Sequence, residues 1–232
     1  MTSTVYVVTD LGPGDGGKGG VVHKLSHMSG AHTIIKRGGA QGSHGVRTSS
    51  GNKFNFSQWG CGTFEGVRTH LSQQMIISPE GLLNEANALK YEYGIWQPFS
   101  LLTVDEEALC ATEFHGIASR LKELARGDNP RGTVGTGVGE AYRDFVRSPE
   151  LAIRARDLTR PDLRARLAAV RDDIRLRLQP IIEGEFLPED QAEAAEEIYF
   201  LGSDEFFEYV VSRFEEAGKA VRVVGREYLR DE

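Results

Sequence analysis

Apolar residues in the first half of the chain fall in short runs broken by glycine clusters, and in the second half at helical spacing. Val5-Tyr-Val-Val8 is a β-branched and aromatic run ending at Asp10, which predicts a buried strand. A glycine loop follows, then a short helix over Val21–Met28. Thr33–Lys36 predicts a second strand, and Lys53–Ser57 alternates like a half-exposed one. Met75–Ile77 is a short apolar strand. Ser78-Pro79 then supplies an N-cap and a first-turn proline for a helix over Glu80–Tyr93. Phe99–Val104 predicts another strand, and Asp105 caps a helix running to Arg126, with Gly127 as its stop. Beyond the loop Gly132–Gly139, Thr159 and Pro161 start a long amphipathic helix. Pro188-Glu-Asp starts another, broken near Gly202 and running to Ala217, with Gly218 as its end and Val221–Val224 as a last strand. Strands alternating with helices predict an α/β fold with a mainly parallel β-sheet and flanking helices. The whole, 1–232, reads as one domain: a glycine-loop part over 1–145 and a mostly helical part over 146–220.

Composition narrows the function classes. The 232 residues carry 27 Lys+Arg against 34 Asp+Glu, a formal charge of -7, which excludes a broad basic surface for nucleic acid. The two cysteines, Cys61 and Cys110, have no metal-ligand spacing and read as reduced thiols. No leader and no membrane-length apolar run is visible, so a cytoplasmic location is expected, with no membrane partner. The 27 glycines are front-loaded, and their placement carries the chemistry.

Gly12-Pro-Gly-Asp-Gly-Gly-Lys18 has G-x-x-x-x-G-K spacing between a predicted strand and a predicted helix. Glycines let backbone N–H groups approach phosphates, and Lys18 adds charge. Gly14, Gly16, Gly17 and Gly19 are the candidate cradle. Gly19 follows the lysine where ordinary P-loops place a hydroxyl for Mg²⁺, so a simple nucleoside triphosphatase fits poorly. Read alone, the loop is also compatible with a plain strand-to-helix turn. Asp15 lies inside it; among phosphates a carboxylate needs a metal or a proton to handle, and otherwise it is a helix cap. The second loop, Gly38-Gly-Ala-Gln-Gly-Ser-His44, again follows a strand. Loops at the carboxyl ends of parallel strands converge, so Asp15, Lys18, Gln41 and His44 are expected to face one another. His23, His27, His32, His70 and His115 read as packed or surface histidines.

These loops resemble those of adenylosuccinate synthetases. Gly14-Asp-Gly-Gly-Lys-Gly19 resembles that family's GDEGKGK, Gly38–His44 its GGNNAGHT, and Gly132-Thr-Val-Gly-Thr-Gly-Val-Gly-Glu-Ala-Tyr142 its GTTGRGIGPAY. The resemblance covers essentially the whole chain but about the first half of the family's length. Motifs found later in the family, FEGAQG, an arginine-rich aspartate loop and the guanine-reading TKLD, have no counterpart here. The resemblance implies a P-loop-NTPase-like sheet fold, and a homodimer that joins L-aspartate to C6 of IMP with GTP and Mg²⁺ in purine nucleotide biosynthesis. It gives Asp15 the roles of general base and Mg²⁺ ligand, His44 that of stabilising the moving phosphoryl group, and Lys18 a phosphate contact. Gln41 stands where an asparagine contacts the nucleotide, and Ser43 where a backbone carbonyl binds Mg²⁺. Gly45 and Val134, the latter beside Thr133, replace threonines, the second of which contacts the IMP phosphate. Arg147 and Arg154 are the candidates for an arginine inserted from the partner subunit.

Phe56-Ser-Gln-Trp-Gly-Cys-Gly-Thr63, Gly42–Gly45 and Gly139–Tyr142 look more like the divergent branch that includes viral 2-aminoadenylosuccinate synthetases, which use dGMP. That branch often replaces the loop aspartate, whereas Asp15 is retained. A third expectation is a nucleotide-binding half that acts with a partner, for which GTP and ATP become hard to tell apart.

Overall fold

The computed structural model describes residues 4–12, 14 and 16–231. Its elements are α1 (Lys18–Ser29), β1 (Thr33–Gly39), β2 (His44–Arg47), β3 (Lys53–Phe56), β4 (Arg68–Ile77), α2 (Pro79–Tyr93), β5 (Leu102–Asp105), β6 (Leu109–Cys110), α3 (Glu113–Leu124), α4 (Val138–Arg147), α5 (Leu163–Ile182), α6 (Gln191–Gly202), α7 (Asp204–Ala220), β7 (Arg222–Val224) and α8 (Tyr228–Asp231). The main sheet has the order β1-β4-β5-β7, with β6 beside the carboxyl end of β4, and every pairing in it is parallel. β2 and β3 form a separate antiparallel hairpin that pairs His44 with Phe56. The expected mainly parallel α/β architecture is therefore present.

Burial explains the order of strands. β4 is central, and Leu71, Met75 and Ile77 on it are fully buried, as is Val104 on β5. Leu82 and Leu89 of α2, Phe114 and Leu121 of α3, Leu167 and Ile174 of α5, and Val210 and Phe214 of α7 complete one apolar core with them. A strand covered on both faces reads as a continuous apolar run, which is why Met75–Ile77 was legible. The start of β4, Arg68-Thr-His-Leu-Ser-Gln-Gln, is mostly polar, so only its last three residues carried the pattern.

Several predicted boundaries move for identifiable reasons. Val5–Val8 is not a strand; Val5 and Val7 are 80% and 85% exposed, and Val5, Tyr6 and Val8 line a cavity with residues of α1 and β1 without joining the ladder. Strand propensity becomes a strand only where a neighbour supplies the hydrogen bonds. Asp105 does not cap a helix. It ends β5, and its carboxylate accepts the Glu107 N–H at 2.9 Å, the alternative local use of an aspartate. Thr112 is the real cap of α3, accepting from His115 N–H. Phe99 falls in a 3-10 turn, Pro98–Leu101, ahead of β5. The long helix begins at Leu163 behind Asp162, not at Thr159. α7 runs through Gly218, where a Cβ would lie 2.5 Å from the Leu158 carbonyl oxygen, so this glycine serves a close approach and not a helix end. Ser78, by contrast, caps α2 as predicted, accepting Gly81 N–H at 3.0 Å.

One buried arrangement joins hairpin, sheet and helix. The Glu85 carboxylate of α2 accepts the N–H groups of Ser57 (3.2 Å), Gln58 (2.7 Å) and Trp59 (3.1 Å). From the other side the Lys36 ammonium of β1 donates to the carbonyls of Ser57 and of Trp59 (3.1 Å). Burial pushes Glu85 above the usual carboxylate range and Lys36 below the usual amine range, each opposed by the other's charge. Removing one member of such a pair leaves the other uncompensated. Glu85→Ala is expected to cost about 3–5 kcal/mol in denaturant unfolding; a loss under about 1 kcal/mol would show that the pair is not structural.

Glu113, at the start of α3, offers a pH test. Burial lifts its carboxyl to about 7, Glu80 adds to this, and Arg213 and Arg120 oppose it. Its Oε2 is buried without a hydrogen-bond partner among the described residues. Because the folded-state value lies above the ordinary 4.5, the folded protein binds the extra proton, and stability falls as pH rises between those values. Glu113→Gln should remove up to about 3 kcal/mol of that decline. Parallel wild-type and variant curves from pH 4.5 to 8 would contradict it.

Candidate functional site

The second glycine loop follows the carboxyl end of β1 and meets the described part of the first through Gly19 and Gly45, and the third through Gly39 and Val138. The first enters α1 through Gly17, whose φ of +77° is a left-handed conformation that favours glycine. Lys18 Nζ donates to the Gly14 carbonyl at 2.9 Å and pairs with the Asp10 carboxylate, which lies hard against the space a Cβ on Gly16 would occupy. Gly19 sets the next contact. A Cβ there would run into the Gly45 carbonyl oxygen and would sit 3.1 Å from the His44 carbonyl carbon. The absence of a side chain at Gly19 thus lets the start of α1 press against β2, and brings Lys18 towards His44.

His44 is half-buried at the start of β2. Burial lowers its pKa below the usual imidazole value, and the Lys36 and Lys18 charges lower it further. Near neutral pH it is an uncharged imidazole beside two cations, poised to gain charge when an anion arrives. Ser43 is exposed in the turn just before it.

The third loop lies across from Gln41. A cavity of about 400 Å³ is lined by Gln41, Thr133, Val134 and Gly135–Glu140 on one side, and by Ser119, Lys122, Glu123 and Arg126 of the α3 region on the other. The loop is held firmly. Glu123 accepts the Gly132 N–H at 2.6 Å, Ser119 and Thr133 hydroxyls bond at 3.0 Å, and Arg120 donates to the Gly135 carbonyl at 2.9 Å. Arg120 is itself paired with Glu197. A Cβ on Gly137 would strike the Gly116 nitrogen, so the loop rests directly on the first turn of α3.

Among the residues expected from sequence, Gly19 meets His44 and Gly45, and Lys18 beside it bonds Gly14; Gln41, Thr133 and Val134 share the cavity, whose lining includes neither Lys18 nor His44. Asp15 lies outside the described residues. Arg147 and Arg154 do not line the cavity. Arg147 Nη2 is 2.5 Å from Asp173 and 3.5 Å from Asp144. Arg154 pairs with Glu107 at 3.1 Å and covers the Phe145 ring. Sequence reasoning missed Lys122, Glu123 and Arg126. Their signal was available: Ser119, Lys122, Glu123 and Arg126 follow i, i+3, i+4, i+7, one face of a helix.

Among the described residues no group of three His, Cys, Asp or Glu is placed to hold a metal, and no helix is long and apolar enough to cross a membrane.

The family model described as adenylosuccinate synthetase matches residues 7–221. An adenylosuccinate synthetase of Halothermothrix orenii is 31% identical over 147 residues, covering 63% of this chain and 33% of its own length. The chain thus spans about a third of the length of that relative. The fully ligated adenylosuccinate synthetase of Plasmodium falciparum has the same fold over 91% of this chain and 48% of its own, with a TM-score of 0.63 at 16% identity. A cyanophage S-2L succinoaminodeoxyadenylate synthetase, solved with dGMP and dATP, aligns over 94% of this chain and 44% of its own at 17% identity; its TM-score of 0.47 is too low to bear on the assignment. By the match over nearly its whole length, the chain belongs to the adenylosuccinate synthetase family.

Proposed function

We propose that the chain is a ligase of the adenylosuccinate synthetase type, joining L-aspartate to C6 of a purine nucleotide at the expense of a nucleoside triphosphate. IMP is the nucleotide and GTP the phosphoryl donor in this reading. The observation that carries it is the contact made through Gly19, which sets a lysine-bearing phosphate loop against His44. Residues 1–232 act as one unit, with the nucleotide handled by 1–145 and a mostly helical support over 146–220. A cytoplasmic homodimer goes with the reading.

In this mechanism Asp15 takes the proton from N1 of the purine, and the electron pair released into the ring makes O6 a nucleophile. O6 attacks the γ-phosphorus, and the bond to the departing nucleoside diphosphate breaks. Lys18 and the loop N–H groups bind the phosphate oxygens, and His44 gains charge opposite the phosphoryl group in transit. The aspartate amine then attacks C6, the C6–O bond breaks with phosphate as the leaving group, and the new C–N nitrogen gives up one proton to solvent. Asp15 and the Ser43 carbonyl are oxygen donors that suit Mg²⁺, which supplies charge neutralisation when bound. The Asp10 carboxylate is engaged by Lys18 and is not spare for that role.

A second reading takes dGMP in place of IMP. Phe56–Thr63 supports it through its similarity to the dGMP-using branch, and Ser57 and Gln58 of that segment line a cavity of about 310 Å³ with Ala40, Glu85 and Thr136. A third, a nucleotide-binding half that needs a partner chain, draws on the share of its relatives' length that the chain spans.

Aspartate-dependent phosphate release from GTP or ATP with Mg²⁺, run against IMP and dGMP, tests the three together. Turnover with IMP supports the first reading and turnover with dGMP the second. Nucleotide binding without turnover supports the third. Asp15→Ala should lower turnover by about 10²-fold or more, the usual worth of a general base, without lowering the melting temperature. Substantial residual activity would contradict the assigned base.

The pKa of His44 gives an independent check. The free protein should titrate below the ordinary 6.5, since burial and two lysines oppose the imidazolium. Bound triphosphate offsets those lysine charges, so the NMR-detected pKa should rise on saturation with GTP. An unchanged value would place His44 away from the phosphates.

A further inference from the structure

His115 is a packed histidine whose two ring nitrogens face two different elements. It is 4% exposed, in the first turn of α3. Its Nδ1 accepts the Thr112 N–H at 3.0 Å, so the ring proton sits on Nε2. Nε2 lies 3.4 Å from Asp144 Oδ2 on α4. One nitrogen closes the cap of α3, and the other turns its proton towards the next helix.

Asp144 does not need His115 for charge balance. Arg177 donates to Asp144 at 2.6 Å and to Asp173 at 2.8 Å. Arg147 pairs with Asp173 and lies 3.5 Å from Asp144. Two guanidiniums therefore already face two carboxylates. What the imidazole adds is direction. A planar N–H donor, braced from behind by Thr112, fixes where the Asp144 carboxylate sits against α3.

α4 meets the same histidine a second time. A Cβ on Gly137, the left-handed N-cap of α4, would lie 2.5 Å from the His115 carbonyl carbon and 2.8 Å from the His115 Cβ. Gly137 belongs to the third loop, and Asp144 stands about two helical turns further on. The helix thus rests on the His115 backbone at its start and on the His115 ring near its end. Its first residue, Val138, also abuts the second loop, where a Cβ on Gly39 would lie 2.5 Å from Val138 Cγ1. Any slide of α4 would change the gap between Gln41 and Gly135–Glu140, which line one cavity.

Resting on the ligase reading, we infer that His115 is a positioning residue: through Nε2–H on Asp144 it sets where α4 lies, and with it the spacing of the second and third loops across the nucleotide cavity. His115 itself is absent from the lining of that cavity. Asp15, Lys18 and His44, the groups given to the chemical step, belong to the first two loops. The histidine therefore acts on nucleotide binding and little on the chemical step.

Two substitutions separate this role from plain capping. In His115→Asn the amide stands near the Nδ1 position, so it keeps the Thr112 cap and loses Asp144. In His115→Gln the amide reaches the Nε2 position and donates to Asp144. Steady-state kinetics of the full chain should show KM for the purine monophosphate raised about tenfold in His115→Asn, with kcat within about threefold, and KM back within about threefold of wild type in His115→Gln. Hydrogen–deuterium exchange in 135–141 of the free protein should quicken in His115→Asn and stay near wild type in His115→Gln. Wild-type KM in His115→Asn, or equal impairment of both variants, would overturn the inference and leave the ligase reading standing. If no purine nucleotide binds, the ligase reading fails, while the exchange difference between the variants still decides the positioning role: a difference supports it and equal exchange overturns it. Nitrogen-15 NMR of the wild type covers the case in which neither variant folds. The Nε2–H tautomer is expected, and an Nδ1–H tautomer would overturn the inference.

Discussion

Lys36 and Glu85 grip the same stretch of backbone, Ser57–Trp59, from opposite sides, the ammonium taking carbonyls and the carboxylate taking N–H groups. Each charge alone would be costly to bury, and each is satisfied through peptide groups that would themselves be unpaired without it. The grip fixes more than three residues. Phe56, just before it, pairs with His44 across the hairpin. Gln58, inside it, exchanges two side-chain hydrogen bonds with the backbone of Ser78, where β4 gives way to α2. Trp59 closes the far side with its indole N–H on the Pro98 carbonyl. Edge strand, hairpin, central strand and helix are thereby held in one register, and His44 inherits its place from it.

On that frame, glycines set how closely the loops can meet. Gly19 lets α1 press on β2, Gly39 leaves room for the Gln41 side chain and for Val138, and Gly137 seats the third loop on α3. A methyl group at any of these positions would collide with backbone or a packed side chain. The loops are therefore brought together by missing side chains as much as by attractive contacts. Charge is arranged on the same geometry: Lys18 and Lys36 beside the neutral His44 on one side, and Lys122, Arg126, Arg131 and Arg143 on the other. A chain with a formal charge of -7 thus concentrates positive charge where the glycine loops converge.

Much of this was legible in the sequence, and the misses have physical causes. Helices announced by caps were found, as at Ser78, because a cap is a local interaction that a short window contains. β1 and β3 were found from β-branched and alternating residues. Val5–Val8 failed because a strand needs a neighbour, which no local pattern supplies. Asp105 failed because an aspartate serves an Asx turn as readily as a helix cap. At the site, the glycine loops are visible as motifs; the spacing of Ser119, Lys122, Glu123 and Arg126 marks one helix face, but that this face meets the third loop arises from long-range packing. Lys36 and Glu85 stand far apart in sequence with nothing between them to mark the pairing, so no spacing rule could have joined them.

The central claim is that the three loops form one nucleotide site. Hydrogen–deuterium exchange of the full chain, with and without saturating GTP plus IMP or dGMP, tests it most directly. The account predicts slowed exchange in 16–20, 39–45 and 132–139 together. Slowing confined to one loop, or none at all, would contradict it.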